Sequence, residues 1–313
     1  MEPKQIYDMI IIGGGPGGYT AALYAGRAGF TVLILEQLGP GGQMATTQHI
    51  DNYPGFSEGA DGFDLAQKMQ QQAQQFGAET KLEPVTELKL EGPVKEAVTP
   101  YGRYLGRTVV IATGASPRKL GLTEEEGFVG KGISYCATCD GMFYRGKTVA
   151  VIGGGNSAVE EALYLSRICE KVYLVHRRDS LRADKAGAEA VKKQENIQPV
   201  WNSVVTGLNP DPETGKLTAL TLKNTQTGET TTLGCQGAFV SIGRVPNTQL
   251  VEGLLELDRQ GYLVADESTR TSLPGAYAVG DVRQKPLRQI ITAAADGAVA
   301  AHFAQEYLQQ QEN

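Results

Sequence analysis

The residues with the clearest chemical potential are two cysteines three positions apart, Cys136 and Cys139, followed directly by Asp140. Two thiols at this spacing can close a small disulfide ring, and a helix that begins at the motif would favour their thiolate forms. Asp140 can cap such a helix, and it can also supply the proton that a leaving thiolate needs. The motif therefore predicts a redox-active dithiol.

Three other interpretations compete with redox chemistry for this pair. A zinc site needs about four ligands, but the sequence has one such pair and three scattered histidines, His49, His176 and His302, so we expect no metal. A structural disulfide is rare in a cytosolic protein. Two inert, buried thiols remain as the alternative, and we predict that role for Cys169 and Cys235, which stand alone in apolar segments.

The composition predicts a soluble, cytoplasmic protein. The 313 residues carry 29 Lys and Arg against 35 Asp and Glu, a formal charge of −6, which argues against nucleic acid or an anionic membrane as a partner. No apolar run approaches the ~18–20 residues of a membrane span. The apolar segment before the first glycines has only four residues, too few for a signal peptide. At ~100–200 residues per domain, the length suggests about two domains.

An internal duplication explains much of the glycine content. Residues 9–36 and 149–176 align without a gap at a constant offset of 140 residues, so that Ile12 matches Ile152 and Arg27 matches Arg167. Each copy has a buried apolar strand, a glycine turn, a helix-period segment and a second apolar strand, which is the start of a βαβ unit. We therefore predict an α/β fold with two Rossmann-like dinucleotide-binding domains.

Each glycine turn carries a dinucleotide-binding fingerprint. The first copy reads Gly13-x-Gly15-x-x-Gly18, and the second reads Gly153-x-Gly155-x-x-Ala158. The first glycine permits the tight turn, the second lets a pyrophosphate touch the backbone, and the third position must be small so that helix and strand can pack closely. The pyrophosphate would lie on the N–H groups at the helix N-terminus.

The residues at the end of the second strand distinguish the two nucleotides. Glu36 ends this strand in the first copy, where a carboxylate can bind ribose hydroxyls, as in an FAD or NAD site. The equivalent residue in the second copy is His176, followed by Arg177, Arg178 and, further on, Arg182. Guanidinium groups would bind a 2′-phosphate, which predicts NADP(H). A solvated surface turn is the alternative for this basic cluster.

Two further strands suit a flavin domain that is interrupted by the second nucleotide domain. One is a buried strand that begins at Thr108 and ends at Thr113 and Gly114. The other is a short strand that closes on Gly280 and Asp281, which would bring a carboxylate to the ribityl chain of a flavin. A final helix, from about residue 288 to 308, is predicted to bury the apolar residues Ile290, Ile291, Ala294, Ala298, Phe303 and Leu308.

The predicted boundaries fall at two segments that contain both Gly and Pro, residues 114–117 and 243–247, as expected of an exposed double linker. They divide the chain into residues 1–117 for the first part of an FAD domain, 118–246 for an NADPH domain that carries the dithiol, and 247–313 for the second part of the FAD domain. We expect a small antiparallel meander in each domain, and in the middle domain it lies between Thr206 and Leu233.

Together these motifs resemble the low-molecular-weight bacterial thioredoxin reductases along essentially the whole chain. The most specific combination is the hexapeptide from Cys136 to Gly141 with the box of His176, Arg177, Arg178 and Arg182. Family members often carry two aromatic residues after the hexapeptide, thought to help dock a redoxin. This chain has Met142 and Phe143 there, and a methionine suits an adaptable surface.

The resemblance implies two cofactors, FAD and NADPH, a homodimer, and thioredoxin or a thioredoxin-like redoxin as the partner. The residues it implies for FAD are Gly13, Gly15, Pro16, Gly18, Glu36, Gly42, Gln43, Asn52, Thr113, Gly114, Gly280, Asp281, Arg288 and Gln289. The residues it implies for NADPH are Gly153, Gly155, Asn156, Ser157, Ala158, His176, Arg177, Arg178 and Arg182.

The resemblance also implies a reaction sequence. Hydride passes from NADPH to FAD and then to the Cys136–Cys139 disulfide, with Cys139 facing the flavin and Asp140 as the acid–base group, before a thiolate attacks the redoxin. A rotation about the paired linkers would let the dithiol meet the flavin and the redoxin in turn. The alternatives are a reductase of another redoxin or of a peroxiredoxin-type partner, and a nucleotide-binding redox sensor without turnover.

Overall fold

The computed structural model describes residues 5–47 and 49–311, so the outermost predicted domain limits, residues 1 and 313, lie outside it. Two compact units divide the chain. The first takes the chain up to Ser116 and again from Val245, and the second comprises Pro117–Arg244. The second unit is thus an insertion between the two parts of the first. None of the helices in the described ranges is long and apolar enough to cross a bilayer.

Both units contain strands and helices. The strands are β1 (Ile6–Ile12), β2 (Val32–Glu36), β3 (Glu79–Leu82), β4 (Glu87–Lys89), β5 (Lys95–Thr99), β6 (Gly102–Ile111), β7 (Ala115–Pro117), β8 (Ile133–Ser134), β9 (Thr148–Ile152), β10 (Lys171–Val175), β11 (Ile197–Val200), β12 (Ser203–Pro210), β13 (Leu217–Asn224), β14 (Thr230–Gly234), β15 (Gly237–Val240), β16 (Arg244–Pro246) and β17 (Ala276–Ala278). The helices are α1 (Pro16–Arg27), α2 (Gly62–Gln75), α3 (Ala137–Asp140), α4 (Asn156–Ser166), α5 (Lys185–Lys192) and α6 (Ile290–Gln311).

The first unit is built on a mixed sheet in the order β3-β2-β1-β6-β5-β4. Strands β3, β2, β1 and β6 are parallel, and β17 adds to β6 in the same direction through Ile111 and Ala278. The amino-terminal half of β6 instead pairs with β5, which pairs with β4, both antiparallel. A parallel sheet and a small antiparallel meander therefore share one long strand. The sequence predicts the meander, but not that it shares β6 with the parallel sheet.

Both faces of this sheet are buried, which is why β1 is apolar at almost every position. Ile10 and Ile12 point into one core cluster, and Met9 and Ile11 point into the other. Helices α1 and α6 cover the second face. They approach so closely at Gly17 and Gly297 that a Cβ at Gly297 would collide with the Gly17 carbonyl.

The final helix differs from the prediction in which residues it buries. It runs from Ile290 to Gln311, but Ile291 is 43% exposed, so its predicted core role is wrong. The buried face is formed mainly by alanines, namely Ala293, Ala294, Ala300, Ala301 and Ala304, together with Leu308. Small residues are required there because α1 and α6 lie so close together.

The second unit repeats the plan. Its parallel sheet has the order β11-β10-β9-β15-β8, and an antiparallel meander of β12, β13 and β14 follows in the chain order predicted between Thr206 and Leu233. Val149 and Val151 point into one core cluster, and Ala150 and Ile152 into the other, which matches the alternation of β1. Cys169 and Cys235 are buried in these clusters, which confirms their predicted core position.

The two places where the chain passes between the units pair with each other. Strands β7 and β16 form a two-stranded sheet. Each crossing follows a glycine in the left-handed region, Gly114 at φ +70° and Gly243 at φ +104°. The predicted double linker therefore has two glycine positions that other residues would occupy only with strain.

A buried ion cluster fixes the segment after β17 to α6. The Asp296 carboxylate accepts hydrogen bonds from Lys285 Nζ at 2.7 Å, from the Gly280 amide at 2.8 Å and from Arg283 Nη2 at 2.9 Å. A further nitrogen of Arg283 donates to the Ala265 carbonyl at 3.1 Å. The side chains of Arg283 and Lys285 are each only 4% exposed, so both cations depend on this carboxylate.

We predict that Asp296→Ala lowers the free energy of unfolding at neutral pH by about 3–5 kcal/mol, because it leaves two buried cations without a counter-charge. Burial opposes ionisation of Asp296, but hydrogen bonds from Arg283 and Lys285 outweigh burial and lower its pKa. A depressed pKa stabilises the fold above the ordinary Asp range, and this contribution disappears as the pH falls through the folded-state pKa. Urea unfolding followed by circular dichroism at several pH values measures the difference.

The matched control is Glu267→Ala. This carboxylate is 3.9 Å from the same Arg283 but 96% exposed, so its removal should cost less than about 1 kcal/mol. Equal losses in the two variants would contradict the assignment of the stabilisation to Asp296.

Candidate active site

The two cysteines of the motif form a disulfide at the start of α3. Cys136 is the residue before the first turn and Cys139 lies within it, with their Cα atoms 5.3 Å apart. Both are half-buried, and the adjacent Thr138 is exposed. Across the described ranges, no three His, Cys, Asp or Glu side chains come together as a metal site would require. The pair is therefore a disulfide at the surface of the second unit.

Asp140 lies half-buried at the end of the same turn. Its Oδ2 accepts a hydrogen bond from the Ser134 hydroxyl at 2.7 Å. Burial raises the pKa of Asp140, and the Ser134 hydrogen bond partly opposes this effect. The carboxyl consequently holds a proton at higher pH than an exposed Asp, as an acid beside a disulfide must.

The turn that carries the disulfide packs on α4. A Cβ at Gly141 would lie 3.1 Å from the side chains of Tyr164, Leu165 and Ile168, so a larger residue would push the motif away from the helix. Met142 and Phe143 follow and are 40% and 48% exposed. Sequence analysis did not identify Ser134, because a lone serine at a strand end gives no periodic signal.

The first fingerprint has the geometry that its glycines predict. Gly13 has φ +107°, and a Cβ there would come within 2.5 Å of the Ala112 carbonyl oxygen. A Cβ at Gly18 would collide with the Gly13 carbonyl, because helix α1 lies very close to the turn that follows β1. A Cβ at Gly15 would meet nothing within 4 Å. Helix α1 begins at Pro16 with no side-chain cap, so its first N–H groups face open space beside Gly15.

Glu36 organises this loop. Its Oε2 accepts from the Gly14 amide at 2.5 Å, and its Oε1 accepts from the Gln37 and Leu38 amides at 2.8 and 3.1 Å. Gly42 lies next to the turn, because a Cβ there would be 3.9 Å from the Gly15 Cα. The loop, the carboxylate and Gly42 thus surround an open cradle that fits a dinucleotide.

The other residues implied for FAD also lie in the first unit, in small hydrogen-bonded groups. The side-chain nitrogen Nε2 of Gln43 donates to the Ala115 carbonyl, and Asn52 Nδ2 donates to Gln289 Oε1 at 3.0 Å. Arg288 stacks over the Tyr262 ring, 4.1 Å from its centroid. The remaining residues implied for FAD lie at the ends of β6 and β17.

The ends of β6 and β17 are fixed by partners that sequence analysis missed. The Thr113 hydroxyl donates to the Asn247 carbonyl at 2.6 Å, and Asn247 Nδ2 donates back to the Thr113 carbonyl at 2.9 Å. Gly280, at φ +75°, donates to the buried Asp296, which fixes the turn that carries Asp281. The one feature of the sequence that could have indicated a structural role for Asp296 is its position as a carboxylate inside an otherwise apolar helix.

The second fingerprint repeats the geometry of the first. A Cβ at Gly153 would collide with the Ser241 carbonyl and lie 2.7 Å from the Ala158 Cβ, whereas one at Gly155 would meet nothing within 4 Å. Asn156 and Ser157 begin α4, which has no side-chain cap, and both are exposed. Asn156 Oδ1 accepts from the Asp184 amide at 2.8 Å. This loop too leaves room for a pyrophosphate.

The basic cluster divides into one buried and three exposed residues. His176 is 4% exposed, and its ring occupies the space that a Cβ at Gly154 would need. Burial and the charges of Arg182, Arg177 and Arg178 lower its pKa, so the ring is neutral at neutral pH. The three arginine side chains are exposed, and the Arg182 amide donates to the Gly154 carbonyl at 2.7 Å. The arginines therefore carry the positive charge beside the fingerprint loop.

Comparisons with known proteins identify the family. A family model described as pyridine nucleotide-disulphide oxidoreductase matches residues 7–297. A thioredoxin reductase of Treponema pallidum is 44% identical over 98% of this chain and 99% of its own length. A bifunctional thioredoxin reductase/thioredoxin of Mycobacterium leprae is 45% identical over 97% of this chain and 66% of its own length.

A solved structure gives the same result for the fold. The crystal structure of thioredoxin reductase from Streptococcus pyogenes matches 98% of this chain and 100% of its own, with 42% identity and a TM-score of 0.90. With a family model and full-length relatives in agreement, the chain belongs to the pyridine nucleotide-disulphide oxidoreductases and, within them, to the low-molecular-weight thioredoxin reductase family.

Proposed function

We propose that this protein is an NADPH-dependent thioredoxin-disulfide reductase. The observation that carries the proposal is the half-buried Cys136–Cys139 disulfide, which is followed directly by the half-buried Asp140. The same unit has a fingerprint loop beside three exposed arginines. A disulfide with an acid next to it can be reduced and re-formed. The basic loop on the same unit would bind the reductant. Relatives named thioredoxin reductase, one of them fused to a thioredoxin, favour thioredoxin as the partner.

FAD is the proposed cofactor of the first unit. The open cradle at Gly15 would take the pyrophosphate, and Glu36 would exchange its backbone partners for ribose hydroxyls. Asp281 would bind near the ribityl chain, and the pair of Asn52 and Gln289 would contact the flavin.

NADPH is the proposed reductant on the second unit. Its pyrophosphate would lie at Gly155 and the start of α4, and its 2′-phosphate would bind Arg177, Arg178 and Arg182. His176 would support the loop beneath Gly154 as a neutral ring. When bound, the two cofactors supply a two-electron path from the nicotinamide to the disulfide.

The residues of the chain then carry out thiol–disulfide exchange. One of the two thiolates attacks the thioredoxin disulfide to form a mixed disulfide, and the other thiol displaces reduced thioredoxin and re-forms the Cys136–Cys139 bond. Two electrons thus leave this protein for thioredoxin. Asp140 supplies the proton that the departing thiolate takes up. Met142 and Phe143, exposed beside the motif, would contact the partner.

A rotation of the second unit is part of the proposal. One disulfide has to receive electrons from a flavin and then meet another protein, and the cofactor on the same unit has to reach that flavin. The glycines at the two crossings, Gly114 and Gly243, supply hinge positions for such a movement. We also propose a homodimer and a cytoplasmic location, which the family resemblance supports.

The first test concerns the choice of nicotinamide cofactor. We predict at least a tenfold preference of the wild type for NADPH over NADH, because each charge-assisted contact with the 2′-phosphate contributes about 1.5–3 kcal/mol. The double variant Arg177→Ala, Arg178→Ala should raise the KM for NADPH and leave that for NADH nearly unchanged. Arg167→Ala, an exposed arginine at the end of α4, is the control. Equal kinetics with both cofactors in the wild type would exclude this site.

The second test concerns the dithiol. Cys136→Ser and Cys139→Ser should each retain flavin that NADPH reduces, measured by absorbance, and should lose thioredoxin reduction. The Cys139 variant should change the flavin spectrum more, since this residue is expected to face the flavin. Cys169→Ala is the control, because burial raises the pKa of this thiol to about 11 and keeps it inert. Normal thioredoxin reduction in either serine variant would reject the mechanism.

The third test concerns the rotation. A bismaleimide should join cysteines introduced one on each unit, while the native dithiol is protected as a disulfide and Cys169 and Cys235 are buried. We predict that the crosslinked enzyme loses multiple turnover in thioredoxin reduction, because one fixed arrangement cannot serve both half-reactions. The same variant treated with a monofunctional maleimide should remain active. Full multiple turnover after verified crosslinking would show that no rotation is needed.

A further inference from the structure

Ser134 connects Asp140 to the first cysteine of the motif. It is the last residue of β8, its backbone is held opposite Phe239 of β15, and it is 3% exposed. Its Oγ lies 2.7 Å from Asp140 Oδ2, 3.1 Å from the Cys136 amide nitrogen and 3.3 Å from the Cys136 carbonyl oxygen. One buried hydroxyl therefore contacts both the acid and the backbone of the disulfide turn.

We propose that Ser134 is a positioning residue for Asp140. It keeps the carboxyl hydrogen-bonded in both protonation states and thereby determines the pH range over which Asp140 is protonated. The inference rests on the proposed function, because it builds on Asp140 as the acid of dithiol exchange. Ser134 acts through Asp140 and contacts neither sulfur.

The donors and acceptors around Ser134 suit both states. A hydroxyl has one proton and two lone pairs, and the Cys136 amide uses one lone pair. When Asp140 is ionised, the hydroxyl donates its proton to Oδ2. When Asp140 is protonated, the acid can donate to the second lone pair, and the hydroxyl proton can turn to the Cys136 carbonyl. In the ionised state the Cys136 carbonyl still accepts from the Asp140 and Cys139 amides, at 3.1 and 3.3 Å, so the carboxyl, the hydroxyl and the carbonyl are hydrogen-bonded in both states.

The two states are not stabilised equally. A hydrogen bond to a charged carboxylate is stronger than one to its neutral acid, so Ser134 favours the ionised form. Burial acts in the opposite direction and raises the pKa of Asp140. Removing the hydroxyl should leave burial unopposed, and Asp140 should then hold its proton to higher pH.

Other titratable groups near this turn can be separated from Asp140. Burial first, and then the Asp140 charge and Cys235, raises the pKa of Tyr144 to about 12, and burial raises that of Cys235 to about 12. Lys147 Nζ lies over the Tyr144 ring, 5.5 Å from its centroid. On α4, burial raises the pKa of Glu161 to about 7, but this carboxyl faces Ser241 and Arg244. In the oxidised enzyme the dithiol itself does not titrate.

The experiment is an infrared titration of the oxidised holoenzyme. The band of a protonated carboxyl is followed against pH, and the Asp140→Asn variant identifies the Asp140 contribution. We expect Ser134→Ala to move the midpoint of Asp140 upward by about one pH unit, as the loss of one hydrogen bond to a charged group should. Ser134→Thr and Ser134→Val have nearly the same shape, and only Thr retains the hydroxyl. The midpoint should stay near the wild-type value with Thr and rise with Val.

The control for a purely structural effect is Ser203→Ala. This serine is also buried in the second unit, and its hydroxyl donates to the Trp201 carbonyl at 2.8 Å. An unchanged or lowered midpoint in Ser134→Ala, equal midpoints with Thr and Val, or an equal rise in Ser203→Ala would each overturn the proposal.

Turnover gives an independent measurement. Thioredoxin reduction should persist to higher pH in Ser134→Ala by the same shift, and adding Ser134→Ala to Asp140→Asn should change nothing further if Ser134 acts through Asp140. A further change in the double variant would count against the proposal. A wild type that cannot reduce thioredoxin with NADPH would reject the proposed function, and the infrared midpoints would still decide the role of Ser134.

Discussion

Both units depend on one steric constraint, the close approach of a helix to the strand before it. At Gly13 and Gly153 the turn passes so near the neighbouring strand that a Cβ would collide with a backbone carbonyl. At Gly18 and Ala158 the helix lies against the same turn, and there only a hydrogen or a methyl group fits. This contact aims the uncapped N-termini of α1 and α4 at open space, and an anion is the ligand that such N-termini bind best.

The two fingerprint loops have the same backbone geometry and differ in the side chain that lies over them. In the first unit, Glu36 covers Gly14 and accepts backbone amides with both oxygens. In the second, His176 covers Gly154 as a neutral, buried ring, and the charge lies on the arginines that follow it. A carboxylate over the loop would repel a phosphate on the ribose, whereas the exposed arginines would attract one. Under the proposed function, cofactor selection in this duplicated fold depends on a few residues at one strand end.

The sequence predicted best those features that follow from repeated local patterns. The strands and helices of both βαβ units, the meander of the second unit and the buried positions of Cys169 and Cys235 are all set by apolar periodicity or by glycine spacing. The burial of Ile291 was predicted wrongly, because in a helix that is apolar on several sides the decisive factor is the close crossing of α1 and α6, which selects alanine and glycine.

Interactions between residues far apart in the chain could not be read from the sequence. Asp296 receives its partners from the segment after β17, and Asn247 meets Thr113 across 134 positions. Neither contact has a periodic or spacing signal. The hydrogen bond from Ser134 to Asp140 spans only six residues, yet it depends on the pairing of β8 with β15, which fixes where the strand ends.

The disulfide turn has to combine a buried acid with an accessible sulfur, and its shortness makes this possible. In a single helical turn, successive residues point in different directions, so Ala137 is buried, Thr138 is exposed, and Cys139 and Asp140 lie between these extremes. Gly141 then lets the turn pack directly on α4. A longer helix would continue the buried face for more turns and would bury more of the segment that a partner protein has to reach. One turn packed against α4 is enough to raise the pKa of Asp140 by burial, while Met142 and Phe143, the residues that follow, remain exposed.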